Sequence, residues 1–170
     1  MSLTLWIIMA IALQRLGELV HSNRNTKKLL AEGGTEVGQS HYPVMIAIHV
    51  GWLLTIAAFV VMSETHSVDE LIIWPLLGVY GVVQLGRLWV LYSLGRYWST
   101  KIIDLPDVPL IRKGPYRWIK HPNYLIVVLE IALLPMALQM WGIALVFSIL
   151  NAGILAWRIQ VENVALMKRE

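Results

Sequence analysis

The chain has 170 residues, 57% of them hydrophobic and 15% charged, with a net charge of +3 and a mean hydropathy of +0.62. Such a balance lies outside the usual range of soluble domains, and at about 20 apolar residues per span the length allows about five spans and leaves little for a separate soluble domain. Without cysteine there are no disulfides, thiolate metal sites or thiol nucleophiles; the five histidines show no H-x-x-x-H pair, so no metal is expected, and neither is a nucleic-acid partner.

Apolar runs occur at Leu3–Leu13, extended by a polar turn to Val20, then at Val44–Met62, Leu71–Leu91, Tyr124–Leu138 and Met140–Trp157. The expected fold is all-α: a polytopic membrane bundle of about five transmembrane helices in one domain, residues 1–170. The last two runs are short and nearly contiguous, with Pro135 close to the break, so they should form a helical hairpin. The loop after the first run holds Arg24, Lys27 and Lys28. The loop before the hairpin holds Arg96, Lys101, Arg112, Lys113, Arg117 and Lys120, and the tail Arg158, Lys168 and Arg169. By contrast, "SETHSVDE" (63–70) has three acids and no Lys or Arg. The positive-inside rule then puts the N-terminus outside and both basic loops and the C-terminus inside.

Ionisable groups near the spans are costly and usually face a bundle interior or cavity. Gln14, Arg15 and Glu18 end the first run, His49 enters the second, and Gln84 and Arg87 approach the end of the third. Asn151, Arg158 and Glu162, spaced by 7 and 4, share one stripe of the last helix. These groups could converge on one polar chamber open to the cytoplasm; alternatively Arg15 and Arg87 snorkel to headgroups. Glu130, inside the hairpin, has no snorkelling route and is a candidate for a network or functional role. Trp74, Trp141 and Trp157 read as interface anchors, and His66 as a solvated loop residue.

The segment "RKGPYRWIKHPNYL" (112–125) carries four cations, two prolines and three aromatics. Gly114 and Pro115 force a turn, and Pro122 biases His121 toward an extended conformation before the fourth helix. Its N–H groups and cations suit an anion, while Tyr116, Trp118 and Tyr124 offer faces for an adenine or a sulfonium. A basic, aromatic membrane-interface loop would have the same composition.

"GPYRWIKHPNYL", followed about 35 residues later by "RIQVEN", resembles the isoprenylcysteine carboxyl methyltransferase family, whose pattern is G-P-Y-x-x-x-R/K-H-P-x-Y, a hairpin, then R-x-x-x-E-E. The likeness spans roughly residues 95 to 167. It implies a membrane methyltransferase that uses S-adenosylmethionine without a Rossmann domain. The cofactor would be bound by Lys113, Gly114, Tyr116, His121, Pro122, Tyr124, Arg158 and Glu162. Asn163 stands where the family has its second Glu, which points away from a prenylcysteine acceptor. "RLGELVHSNRN", "GGTEVGQSHYP" and "MIAIH" resemble a bacterial branch that O-methylates alkylpyrones and phenolic lipids. The implied acceptor set is Glu18, Asn25, His41, Tyr42, His49 and Asn163, with His41 or His49 as base or orienter and Arg158 and Glu162 completing the catalytic set. Residues 1–91 would form the substrate side and 92–170 the cofactor side, in a bacterial cytoplasmic membrane among membrane lipids. Alternatives are a carboxyl methyltransferase acting on isoprenylcysteine, a phospholipid N-methyltransferase, a sterol-type reductase and a lipid-binding scaffold subunit.

Overall fold

The computed structural model describes residues 3–63, 69–105 and 108–167. His66, Lys168 and Arg169 lie outside them. Five α-helices carry the fold: α1 (Leu3–Ala31), α2 (Tyr42–Met62), α3 (Glu70–Leu94), α4 (Pro122–Ala137) and α5 (Trp141–Met167). Helices α1, α2, α3 and α5 are long and apolar enough to cross a membrane, and α4 is a shorter apolar helix of 16 residues. The protein is an all-α polytopic membrane bundle. Leucine, isoleucine and valine point outward along every span, while Ile56, Ile131, Leu134 and Leu138 are fully buried in the core. Trp74 and Trp141 are half exposed at one end of the bundle, as interface anchors should be.

The hairpin forms as expected, closed by a turn in which Met140 N–H donates to the Pro135 carbonyl at 2.7 Å and Gln139 has φ 56°. Its second arm is not short, however, since α5 has 27 residues. A second difference concerns α1, whose 29 residues absorb the basic segment expected to be a loop, Arg24, Lys27 and Lys28 included. The extension is stabilised from outside the helix. Ser22, Asn25, Thr26 and Leu29 form a buried stripe, on which residues 95–100 are seated. Ser22 Oγ and Thr100 Oγ1 share a hydrogen bond of 2.8 Å, Thr26 Oγ1 and Ser99 Oγ another of 2.8 Å, and Asn25 Nδ2 donates to the Trp98 carbonyl at 2.9 Å.

Beyond α1 the chain makes a three-residue strand, β1 (Thr35–Val37), antiparallel to β2 (Ile102–Asp104) with Glu36 opposite Ile103. Lys101 Nζ meets Glu36 at 2.9 Å beside this ribbon. The ribbon, the end of α1, the start of α2 and the segments 95–105 and 108–121 all lie at one end of the bundle, the end that carries the sorted Lys and Arg.

Candidate active site

Polar groups do not gather in one chamber. They form two clusters, and the snorkelling reading of Arg15 and Arg87 is overturned by the first. Within the spans, Glu130 of α4 is 1% exposed and accepts from Arg15 Nη2 of α1 at 2.8 Å, Arg87 Nη1 of α3 at 2.9 Å and Gln84 Nε2 at 2.8 Å. Glu18 accepts from Arg87 Nε at 2.6 Å and from Arg15 Nη1 at 3.0 Å, and Gln14 bridges Glu18 and Gln84. Two guanidiniums against two carboxylates make the cluster neutral, which is what allows it at membrane depth.

The second cluster is built at the basic end. Gly114 has φ 54°, and a β-carbon there would stand 2.1 Å from Ser93 Oγ, so only glycine lets the 112–121 loop lie against α3. Pro115 and Pro122 are buried, each in the first turn of its helix, where the missing N–H costs nothing. The loop thereby delivers His121 and Tyr124 to α5, their rings stacked at 5.3 Å. The Tyr124 hydroxyl donates to Glu162 Oε2 and accepts from Arg158 Nε at 2.8 Å. Arg158 is 5% exposed and places two further donors on the Thr100 carbonyl at 2.6 Å and Met45 Sδ at 3.2 Å, leaving two N–H groups of its fork. His121 has an acceptor at each nitrogen: Asn163 Oδ1 lies 3.0 Å from Nε2 and Glu162 Oε2 lies 3.6 Å from Nδ1. Contact with the Glu162 carboxylate raises the His121 pKa above the ordinary imidazole value, against the opposing effect of burial. Burial, with Glu162 nearby, holds the Tyr116 phenol above its ordinary value, so it stays protonated.

These residues wall a cleft of about 460 Å³. Tyr116, His121, Tyr124, Arg158 and Glu162 line it, so the two separated motifs meet there. The other expected residues lie elsewhere. Lys113 is exposed and sits on a neighbouring groove with Arg96 and Arg112, while Gly114 and Pro122 shape the loop from behind. His41 is 1% exposed, seated under Gly38 and against Trp157 with ring centroids 5.9 Å apart, and is not a lining residue. Tyr42 holds Thr100 by its hydroxyl at 3.0 Å, Asn25 clamps the backbone of Gly95 and Trp98, and Glu18 belongs to the intramembrane cluster. His49 lies along α2, its Nδ1 at 2.8 Å from the Met45 carbonyl.

Sequence reading missed Trp98, Asn123 and Asp104, which line the cleft. Trp98 Nε1 and Asn123 Oδ1, one donor and one acceptor, are buried with no hydrogen-bond partner among the described residues. For Asn123 the signal was its place between Pro122 and Tyr124. For Trp98 there was none, since nothing local separates it from the other seven tryptophans. Met45 and Thr100, which hold Arg158, carry no sequence signal either. Among the described residues no group of His, Asp and Glu could hold a metal ion.

A bundle of apolar spans with a charged, aromatic cleft at its basic end defines an integral membrane protein. Its sequence matches the Isoprenylcysteine carboxyl methyltransferase family over residues 76–168, and the chain belongs to that family, whose members are membrane methyltransferases using S-adenosylmethionine. It is 41% identical over 167 residues to uncharacterized protein YpbQ of Bacillus subtilis (strain 168), covering 96% of each chain. It is 27% identical over 170 residues to an uncharacterized protein of Haemophilus influenzae, covering 97% of this chain and 94% of the other. No solved structure matches the chain.

Proposed function

We propose that this membrane methyltransferase transfers the methyl group of S-adenosylmethionine to an acidic enol or phenol oxygen on a lipid, such as an alkylpyrone or an alkylresorcinol. The observation that carries the reading is the Tyr124 hydroxyl, which joins Arg158 and Glu162 into one wall of the cleft. The residues present fit the cofactor. A cleft of about 460 Å³ suits a ligand of that size. Arg158 and Lys101 offer positive charge to its carboxylate, and Glu162 offers negative charge to its ammonium. The unpaired Asn123 Oδ1 and Trp98 Nε1 offer an acceptor and a donor to the adenine, and Tyr116 supplies an aromatic face for the ring or the sulfonium.

When bound, S-adenosylmethionine supplies an electrophilic methyl carbon and a neutral thioether leaving group. The protein's task is therefore alignment. Arg158, fixed by Thr100 and Met45, cannot swing away from the wall. His121, held between Asn163 and Glu162, keeps the loop closed on α5. A hydroxypyrone oxygen is acidic enough to attack without a strong base, whereas a phenol of pKa about 10 benefits from one. Residues 1–91 are assigned to the acceptor and 92–170 to the cofactor, with the cleft facing the cytoplasm. Within the acceptor side, His41, Tyr42 and Asn25 act through the wall they support, and His49 is the group free to face a substrate.

The test is a competition between an alkylpyrone, an alkylresorcinol and a farnesylcysteine for labelled methyl groups. Base-stable ethers of the first two are expected. Preference for the farnesylcysteine, giving a base-labile methyl ester, overturns the assignment of acceptor.

A further inference from the structure

Two polar groups in the spans are used neither by the charge cluster nor by the cofactor wall. Asn151 of α5 is 1% exposed, and its Oδ1 is buried with no hydrogen-bond partner among the described residues. An unsatisfied carbonyl is a standing cost in a water-free interior, and one kept by a native fold calls for an explanation. The second group is His49 of α2. Its Nδ1 lies 2.8 Å from the Met45 carbonyl, which can only accept, so in the neutral ring Nδ1 carries the proton and Nε2 keeps a lone pair. Nε2 has no partner among the described residues.

The two groups are level with each other. Helices α2 and α5 run antiparallel, and two contacts fix their register: a β-carbon at Gly51 would stand 3.9 Å from the Phe147 ring, and Met45 Sδ lies 3.2 Å from Arg158 Nη1. Between those contacts lie His49 on α2 and Asn151 on α5. Asn151 shares the stripe of Arg158 and Glu162, so the pair sits directly on the membrane side of the cofactor wall. The side chain that separates the two regions is Met45, a flexible thioether that yields easily.

We propose that His49 Nε2 and Asn151 Oδ1 form an intramembrane subsite for the hydroxyl group of the acceptor lipid. The subsite is uncharged, and its two unpaired acceptors suit a neutral O–H donor at the end of an alkyl chain, a phenol or enol, about two helical turns to the membrane side of Arg158. This deepens the proposed O-methylation and rests on it for the identity of the ligand, but the geometry is independent of the cofactor.

The experiment measures binding of an alkylresorcinol and of its O-methylated counterpart to the detergent-purified protein without cofactor, for the wild type and for Asn151→Leu, by titration calorimetry. The free hydroxyl compound should bind the wild type about five- to tenfold tighter than the ether, the worth of one net hydrogen bond, and Asn151→Leu should remove that difference while leaving the ether's affinity unchanged. His49→Phe should narrow the difference, since the one hydroxyl proton is shared between the two acceptors. Thermal unfolding of Asn151→Leu should be unchanged or raised, because the substitution deletes an unsatisfied group. Equal hydroxyl-to-ether ratios in wild type and Asn151→Leu overturn the subsite and assign Asn151 to packing or to a buried water. S-adenosylmethionine affinity, measured on the same samples, separates the two readings: its absence in the wild type defeats the proposed function, whereas its presence with a flat ratio defeats only the subsite.

Discussion

Glu130→Ala removes the carboxylate on which three donors from α1 and α3 converge, Arg15 Nη2 at 2.8 Å, Arg87 Nη1 at 2.9 Å and Gln84 Nε2 at 2.8 Å. Each guanidinium retains Glu18, but a neutral cluster becomes one carrying a net positive charge among apolar spans. Breaking a buried pair by deleting one partner costs roughly 3–5 kcal/mol, a large fraction of a total stability of about 5–15 kcal/mol. Glu130→Gln keeps an acceptor for Gln84 and loses only the charge, so its cost should be smaller, near the roughly 2.5–3.5 kcal/mol of one unpaired charge at membrane depth. The decisive variant is the double one. Glu130→Met with Arg87→Met restores neutrality, leaves Arg15 paired with Glu18 and fills the space with apolar side chains, so it should recover most of the loss. Helicity followed through unfolding in mixed detergent micelles gives each free energy. A double variant as unstable as Glu130→Ala, or a Glu130→Ala cost below about 1 kcal/mol, would refute the argument that neutralisation rather than packing holds α1 to α3 and α4.

Arg158→Ala should weaken S-adenosylmethionine binding on the order of 10- to 150-fold, from the roughly 1.5–3 kcal/mol of a charge-assisted hydrogen bond. Arg158→Lys should recover only part of that, because the fork is lost; calorimetric titration that finds unchanged affinity in both counts against the assignment. The raised pKa of His121 means that the closed loop is stabilised fully below the unfolded imidazole value of about 6.5, and that this contribution is lost as pH rises through the folded value. Melting temperatures of the wild type and of His121→Asn should therefore differ at pH 6 and converge at alkaline pH. A gap that widens with pH has the wrong sign. Single cysteines in this cysteine-free chain report topology: an impermeant thiol reagent on intact cells should label Met62→Cys, whose parent side chain is 80% exposed at the end remote from the cleft, and spare Lys28→Cys. The reverse pattern would invert the orientation.

Hydropathy made the spans legible because lipid-facing positions dominate it, and it failed where helix rather than lipid is the environment. The second half of α1 reads as a polar loop, since the contacts that seat Ser22, Asn25 and Thr26 against the rest of the protein are made with residues 98–100, more than 70 positions away. The β1–β2 ribbon fails for the same reason: Thr35–Val37 and Ile102–Asp104 are three residues each, too short to carry a period, and each pairs with a segment more than 60 positions away. For Arg15 and Arg87 the sequence left two environments open, and the choice fell to a carboxylate on a third helix, Glu130.

The spacing of the two motifs, by contrast, was legible and has a mechanical cause. Tyr124 and Arg158 are 34 residues apart and 2.8 Å apart. From Tyr124 the chain climbs α4 to Ala137, turns within three residues, and must descend α5 by a similar length before it is level with its starting point. Arg158 is the residue at which that descent arrives, and Glu162, one turn further on, shares its face. The separation between the motifs is thus about twice the length of the short arm, α4, with its 16 residues. That accounts for the truncated α4 in a bundle whose other helices are all long enough to span a membrane. At the same 34-residue spacing, a full-length α4 would leave Arg158 short of Tyr124 on the return. A cleft walled by the two feet of one hairpin needs no soluble domain, and it lies at the basic end of the bundle.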